Sequence, residues 1–288
     1  ISGGGRSTGI VPWAQQYDLA ARVVSQGGVR RGSFAIYLPI DHPDVPELLR
    51  AKDHSKGDPR KFIDSNVALT ITDDWVQSMI AGDTDKQELF GEVIRTRLVS
   101  GSPYLVFIDN ANAQNPSCYF ERGLSVKTSN LCSEIFLHTD EHHSFVCVLS
   151  SLNLSRYDEY RSWKSPVTGR TVPQLAVHLL DAVVTEFCRK AKDRVGMGRS
   201  VRFAEKSRAL GLGTMGLHTL YQKRGLPFKS QGARELNIEV HKWVREEAEK
   251  GSRYLASVFG EPEWCQGTGM RNTHLTAIAP TVSYTHLR

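Results

Sequence analysis

Apolar positions along the chain follow two rhythms. Five short stretches are nearly continuous in apolar and β-branched residues and are bounded by Gly, Pro, Asn or Asp. They are residues 32–40 (GSFAIYLPI), 66–72 (NVALTIT), 104–109 (YLVFID), 145–154 (FVCVLSSLNL) and 275–280 (LTAIAP). Such runs predict strands, and several are too continuously apolar for a sheet with one wet face. Between them the period lengthens. Leu175, Leu179, Val183, Phe187 and Ala191 recur at spacing four, joined by Leu180, Val184 and Cys188, behind a Pro173 placed where a first helical turn tolerates it. Leu89, Phe90, Val93, Ile94 and Leu98 do the same over 85–100 and end at Gly101. Leu236, Val240, Trp243 and Val244 mark a longer helix over 230–259, with Gly260 as its stop. Strands alternating with helices predict an α/β architecture with largely parallel strands. There is no internal repeat, and residues 161–170 (RSWKSPVTGR) read as an exposed loop.

Composition narrows the class. With 288 residues, 40% hydrophobic and 23% charged, the chain suits a large globular core. The net charge of +5 suits an anionic ligand such as a nucleoside phosphate, but the basic residues are scattered among 31 acids, so no nucleic-acid partner is read from charge. No apolar run approaches the roughly 20 residues that span a bilayer, and there is no signal-peptide pattern, so a cytoplasmic protein without a membrane partner is expected. Five widely spaced cysteines without a CxxC pair argue against a disulfide scaffold or structural zinc. Both ends read as artificial. The chain opens at Ile1 in a glycine-rich stretch, and residues 282–288 (VSYTHLR) read as a non-native tail, the scar of a sequencing adapter. Residues 1–281 are then expected to be one piece of a larger domain.

The chemistry concentrates in residues 129–135, SNLCSEI. In an extended segment side chains alternate, so Asn130, Cys132 and Glu134 would place an amide, a sulfur and a carboxylate on one side. Read alone, the string is at least as well explained by a buried cysteine, a turn asparagine and an exposed glutamate. A second cysteine, Cys147, lies in the next apolar strand and, taken alone, reads as a core residue. His138, His142 and His143 with Asp140 and Glu141 read as a polar hairpin loop rather than a metal cluster, and no metal ligand is assigned. Cys188 belongs to a helix face, and Cys118 and Cys265 have no partner at a telling spacing. Gly211, Gly213 and Gly216 read as close-packing glycines, since no suitable strand precedes them for a dinucleotide loop.

Five motifs in order carry a resemblance. Residues 130–135 (NLCSEI) resemble the finger-loop signature of ribonucleotide reductase large, catalytic subunits, and residues 147–154 (CVLSSLNL) resemble the strand that follows it. Residues 25–33 (SQGGVRRGS) resemble that family's second specificity loop, and 210–225 (LGLGTMGLHTLYQKRG) its glycine-punctuated helix region. Residues 271–281 (RNTHLTAIAPT) resemble the approach to its substrate-phosphate loop.

The resemblance implies a partial ten-stranded α/β barrel, with the Cys132 loop threading its centre. It implies that Cys132 becomes a thiyl radical, that Glu134 is general base, and that Asn130 bonds the reacting hydroxyls or holds the carboxylate. Cys147 is implied as half of the reducing dithiol. Leu131, Pro280 and Thr281 are implied substrate contacts, although VSYTHLR departs from the family after Thr281. Ser25, Gln26, Gly27, Gly28 and Arg30 are implied to couple a dNTP or ATP effector to substrate choice, with Arg31 solvated. The implied partners are a ribonucleoside diphosphate, a metal-containing small subunit that generates the radical, thioredoxin or glutaredoxin as electron source, and a second copy of the intact protein. No cofactor is implied within this chain, and the piece alone is expected not to turn over. Two other readings stay open: an adenosylcobalamin-dependent reductase, against which Leu131 after Asn130 argues, and a non-catalytic nucleotide-binding scaffold.

Overall fold

The computed structural model describes residues 7–24, 32–53, 55, 61–62 and 64–280. The chain divides into two compact units, Ile1–Gln114 with Val126–Phe136, and Asn115–Ser125 with Leu137–Arg288.

The first unit is built on β1 (Ala35–Pro39), β2 (Asn66–Ile71) and β3 (Tyr104–Phe107), parallel and in that spatial order. Leu38 stands opposite Leu69, and Leu69 opposite Leu105. Parallel neighbours need long crossovers, and helices provide them. Helix α1 (Ile10–Val23) precedes the sheet, α2 (Val45–Lys52) joins β1 to β2, α3 (Asp73–Ile80) and α4 (Thr84–Ser100) join β2 to β3, and α5 (Ile108–Ala113) follows. Val67, Ala68, Leu69 and Ile71 of the central strand are all buried, so side chains on both of its faces leave water, as its unbroken apolar run predicts. The Thr72 hydroxyl accepts from Trp75 N (3.3 Å) and the Asp83 carboxylate from Lys86 N (3.2 Å), satisfying amide groups that open α3 and α4. Gly101, at φ 71°, ends α4 where the sequence places its stop.

The second unit contains α6 (Ser117–Glu121), β4 (Leu149–Asn153), α7 (Tyr157–Tyr160), α8 (Val172–Ala191), α9 (Gly198–Ser207), β5 (Gly211–Met215), α10 (Leu217–Lys223) and α11 (Gln231–Phe259). Strands β4 and β5 are parallel, with Ser151 opposite Gly213. Helices α8 and α11 pack together, and Val177, Leu180, Val184, Leu236, Val240 and Val244 share one core. Here the spacing-four reading of α8 needs correction. Of the expected face Leu180, Val184, Cys188 and Ala191 are buried, joined by Pro173, Val177 and Asp181, while Leu179 and Val183 are exposed; a row at intervals of four drifts off a 3.6-residue helix.

Three strand boundaries also differ. The strand expected over 145–154 begins only at Leu149, leaving Cys147 in irregular chain before it. Residues 275–280 form a single bridge, Thr276 to Leu212, although Leu210 N and Leu212 N donate to His274 O and Leu275 O at 2.9 and 2.8 Å. Beside them, residues 211–215 form β5 and not part of a helical region. The close-packing reading of these glycines holds, because a Cβ on Gly213 would lie 2.3 Å from Ala277 O and one on Gly211 2.3 Å from Leu149 Cδ2. A buried cluster closes this unit. Asp181 accepts from Arg208 Nε at 2.7 Å, Arg271 Nε at 3.0 Å and Asn272 Nδ2 at 3.0 Å.

Candidate active site

Residues 129–135 do not run extended. Ser133 N donates to Asn130 O at 3.2 Å, closing a turn over Leu131 and Cys132, and Ser133 adopts φ 61°, a left-handed conformation unusual for a residue with a side chain. The alternating-face geometry predicted for Asn130, Cys132 and Glu134 is therefore replaced by a turn with Cys132 near its apex. The reason is local. The Asn130 side-chain oxygen accepts from Glu134 N and Ile135 N, both at 3.1 Å, and so satisfies the backbone within the turn itself.

Other residues of the same unit hold the turn. Buried Ser129 donates its hydroxyl to Ile135 O at 2.6 Å, tying the two ends together. From β1, the Tyr37 hydroxyl donates to Asn130 O at 2.6 Å and lies 2.9 Å from Ser133 Oγ. Upstream, Asn112 of α5 pairs with Val126 twice, accepting from its N–H at 2.8 Å and donating to its carbonyl at 3.0 Å. Tyr37, Asn112, Ser129 and Ser133 were not singled out from the sequence. Tyr37 sits in an apolar strand where its hydroxyl announces no partner, and a serine carries no signal for positive φ.

The turn leaves Cys132 exposed and Glu134 half-buried. One Glu134 carboxylate oxygen, Oε2, is shielded from solvent without a hydrogen-bond partner among the described residues. Partial burial by the surrounding protein pushes the Cys132 thiol above its ordinary value, and the negative charge of Glu134 pushes the same way. At neutral pH the sulfur is held as S–H and not as a thiolate. That suits hydrogen-atom transfer better than nucleophilic attack, for which an enzyme depresses the thiol value.

Cys147 is exposed, in the second unit. Leu131 is half-buried on the turn and Pro280 is exposed. Ser25, Gln26, Gly27, Gly28, Arg30, Arg31, Thr281 and the tail 282–288 lie outside the described residues. The segment 138–143, expected as a polar hairpin loop, is partly turned inward. His138 is buried and His143 nearly so, and both rings pack on Trp264.

With this geometry in place, comparison with known proteins decides the relationship. Residues 1–84 and 76–268 match the family described as ribonucleotide reductase, barrel domain. This chain belongs to that family. A solved relative, the Actinobacillus ureae class Id ribonucleotide reductase alpha subunit, superimposes with a TM-score of 0.87 at 38% identity, covering 97% of this chain and 51% of the relative. A putative ribonucleoside-diphosphate reductase large subunit of Frog virus 3 is 33% identical over 96% of this chain and 51% of its own length. A vitamin B12-dependent ribonucleoside-diphosphate reductase of Mycobacterium tuberculosis (strain CDC 1551 / Oshkosh) is 29% identical over 97% of this chain and 41% of its own. The chain thus spans about half the length of the first two of these reductases and less of the third. Its fold is the reductase barrel in part, with the described strands paired in parallel. No described helix is long and apolar enough to cross a membrane.

Proposed function

We propose that the protein to which these residues belong reduces ribonucleoside diphosphates to 2′-deoxyribonucleoside diphosphates, and that residues 1–281 supply part of its catalytic barrel. The observation that carries the reading is the turn presenting the Cys132 thiol, kept protonated, beside a Glu134 oxygen that is shielded and without a partner among the described residues. Cys132, once oxidised by loss of its hydrogen atom, takes the ribose 3′ hydrogen as a sulfur-centred radical. Glu134 accepts the 3′-hydroxyl proton, and the 2′-hydroxyl leaves as water. Asn130 holds Glu134 in register through its backbone amide. Cys147 and a second thiol give up two electrons and end as a disulfide, after which Cys132 returns the hydrogen atom.

The oxidising equivalent comes from a metal-containing small subunit, and thioredoxin or glutaredoxin restores the dithiol. Leu131, Pro280 and Thr281 contact substrate, Ser25, Gln26, Gly27, Gly28 and Arg30 relay the bound dNTP or ATP effector, and the intact protein pairs with a second copy in the cytoplasm. The B12-dependent relative supports a second reading, in which adenosylcobalamin supplies the radical. Leu131 after Asn130 favours the small subunit.

Assay of the full-length protein with its small subunit separates these. Cys132→Ala is expected to abolish deoxynucleotide formation, and Glu134→Gln to lower it by about 10²–10⁴-fold, the range of a lost general base. Measurable turnover in Cys132→Ala overturns the assignment; turnover that needs adenosylcobalamin and no second subunit establishes the alternative.

A further inference from the structure

The segment between Cys132 and Cys147 in the chain holds a cluster that the reductase chemistry does not use. In the second unit, His138, Asp140 and His143 each offer a ligand atom, and these atoms lie within 4.8 Å of one another. Asp140 Oδ2 is 3.0 Å from His138 Nε2 and 3.1 Å from His143 Nδ1. We propose that His138, Asp140 and His143 bind one divalent transition metal ion of the zinc type, with solvent as fourth ligand.

The two separations to Asp140 fit closely, and the third, His138 Nε2 to His143 Nδ1, lies within 4.8 Å and has to close as the ion binds. A tetrahedral ion held at roughly 2.0–2.2 Å by nitrogen and oxygen needs ligand atoms about 3.4 Å apart. The two gaps to Asp140 therefore have to open by only a few tenths of an ångström as the ion replaces the protons between carboxylate and rings. Hydrogen bonds orient His138 and Asp140, and packing on Trp264 orients His143. His138 Nδ1 lies 2.8 Å from Ser125 O and 3.1 Å from Ser125 N. Metal binding selects the tautomer in which Nδ1–H donates to that carbonyl, the usual partner behind a ligating imidazole, and Nε2 presents its lone pair. Asp140 Oδ1 accepts from His142 N and His143 N, both at 2.7 Å, and lies 2.9 Å from His143 Nδ1, which fixes the carboxylate and leaves Oδ2 as the oxygen that meets both rings. A turn closed by Asp140 N to His143 O (3.0 Å), with Thr139 Oγ1 donating to the same carbonyl (2.9 Å), sets the spacing.

His143 Nε2 is buried without a hydrogen-bond partner among the described residues, and the ring is held through its Nδ1 contacts to Asp140. The Trp264 ring packs against both imidazoles, at 5.5 and 5.1 Å between centroids, and Tyr119 receives a hydrogen bond from His138 N at 3.2 Å. This wall limits solvent to the Asp140 side, where the side chain is 29% exposed.

Charge selects the class of ion. Arg199 and Arg202 donate to Asp140 O and His142 O from outside, placing positive charge nearby. Ions that bind through oxygen and electrostatics, such as calcium or magnesium, are disfavoured. An ion that forms strong bonds to two nitrogens is not.

The test uses the complete 288-residue chain, stripped with chelator and titrated with cobalt(II) and then zinc(II). One equivalent of cobalt is expected to give the intense visible bands of tetrahedral coordination, displaced by one equivalent of zinc. Asp140→Asn and His143→Ala are expected to weaken zinc at least about tenfold to 100-fold by calorimetry, the scale on which even supporting partners act. His142→Ala, at an exposed side chain, should change nothing. A weak octahedral cobalt spectrum or no saturation overturns the proposal, as does zinc affinity unchanged in both ligand variants or lost in His142→Ala. If a variant fails to fold, the cobalt spectrum of the unaltered chain decides alone.

Discussion

At the scale of single residues, Cys132 and Glu134 act on each other through charge. Both burial and the Glu134 carboxylate raise the thiol value, so removing the charge removes one of the two causes. In Glu134→Gln the pH midpoint for alkylation of Cys132 is therefore expected to move down, toward that of an ordinary cysteine. Because Cys147 is also exposed, the measurement belongs in a Cys147→Ser background, following iodoacetamide incorporation across pH by mass spectrometry. An unchanged or higher midpoint would show that the carboxylate does not face the sulfur. The motif that carries these groups was readable in the sequence; their arrangement was not. Period-two alternation assumes extended backbone, whereas Asn130 has a side chain able to bond two amides downstream and fold the segment on itself.

At the scale of elements, legibility followed context. The runs around β1, β2 and β3 and the helix α11 were visible because burial imposes a period on their residues, whereas the apolar rows that marked α4 and α8 lie only partly on the buried face, with Ile94, Leu98, Leu179 and Val183 exposed. Strand β5 was not, since Gly211 and Gly213 have no side chains to show alternation and were chosen for what passes beside them. That passage makes a prediction. Gly213→Ala places a methyl group 2.3 Å from the Ala277 carbonyl oxygen, against backbone that cannot swing aside as a side chain would. The strand or the segment 275–278 must shift, and a loss of about 1–3 kcal/mol, typical of overpacking, is expected in urea unfolding. Stability within about 0.5 kcal/mol of the parent, the usual range for a surface change, would mean that the two segments lie farther apart. That the His138–His143 loop turns partly inward was not legible for a related reason. Its polar composition describes a loop, and nothing in it foretells that Trp264, far along the chain, covers two of its rings.

At the scale of the molecule, stability depends on charge that is not on the surface. Asp181, 4% exposed, is surrounded by Arg208, Arg271 and Asn272. Burial alone would raise its carboxyl; the hydrogen bond and charge of Arg208, with Arg271, reverse this and hold it below the usual range. A carboxylate depressed in the folded state stabilises above its unfolded value near 3.9, and the contribution fades as pH falls through the lower folded value. Asp181→Asn is expected to cost about 3–5 kcal/mol at neutral pH, because it leaves buried guanidinium without a counter-charge. The gap between variant and parent should narrow in denaturant titrations carried below about pH 4. A gap that stays constant across that range would show that the charge of Asp181 contributes nothing. None of this was foreseen from the sequence, where Asp181 interrupts an apolar helix and its three partners stand in distant segments.

The left-handed Ser133 has one further implication. A knuckle bent against its natural preference, and braced from β1 by a phenol, stays rigid only while the brace is in place. Whatever loosens Tyr37 would let the backbone relax and carry the sulfur off its mark, so the aim of this thiol is set as much by a strand remote in sequence as by the motif around it.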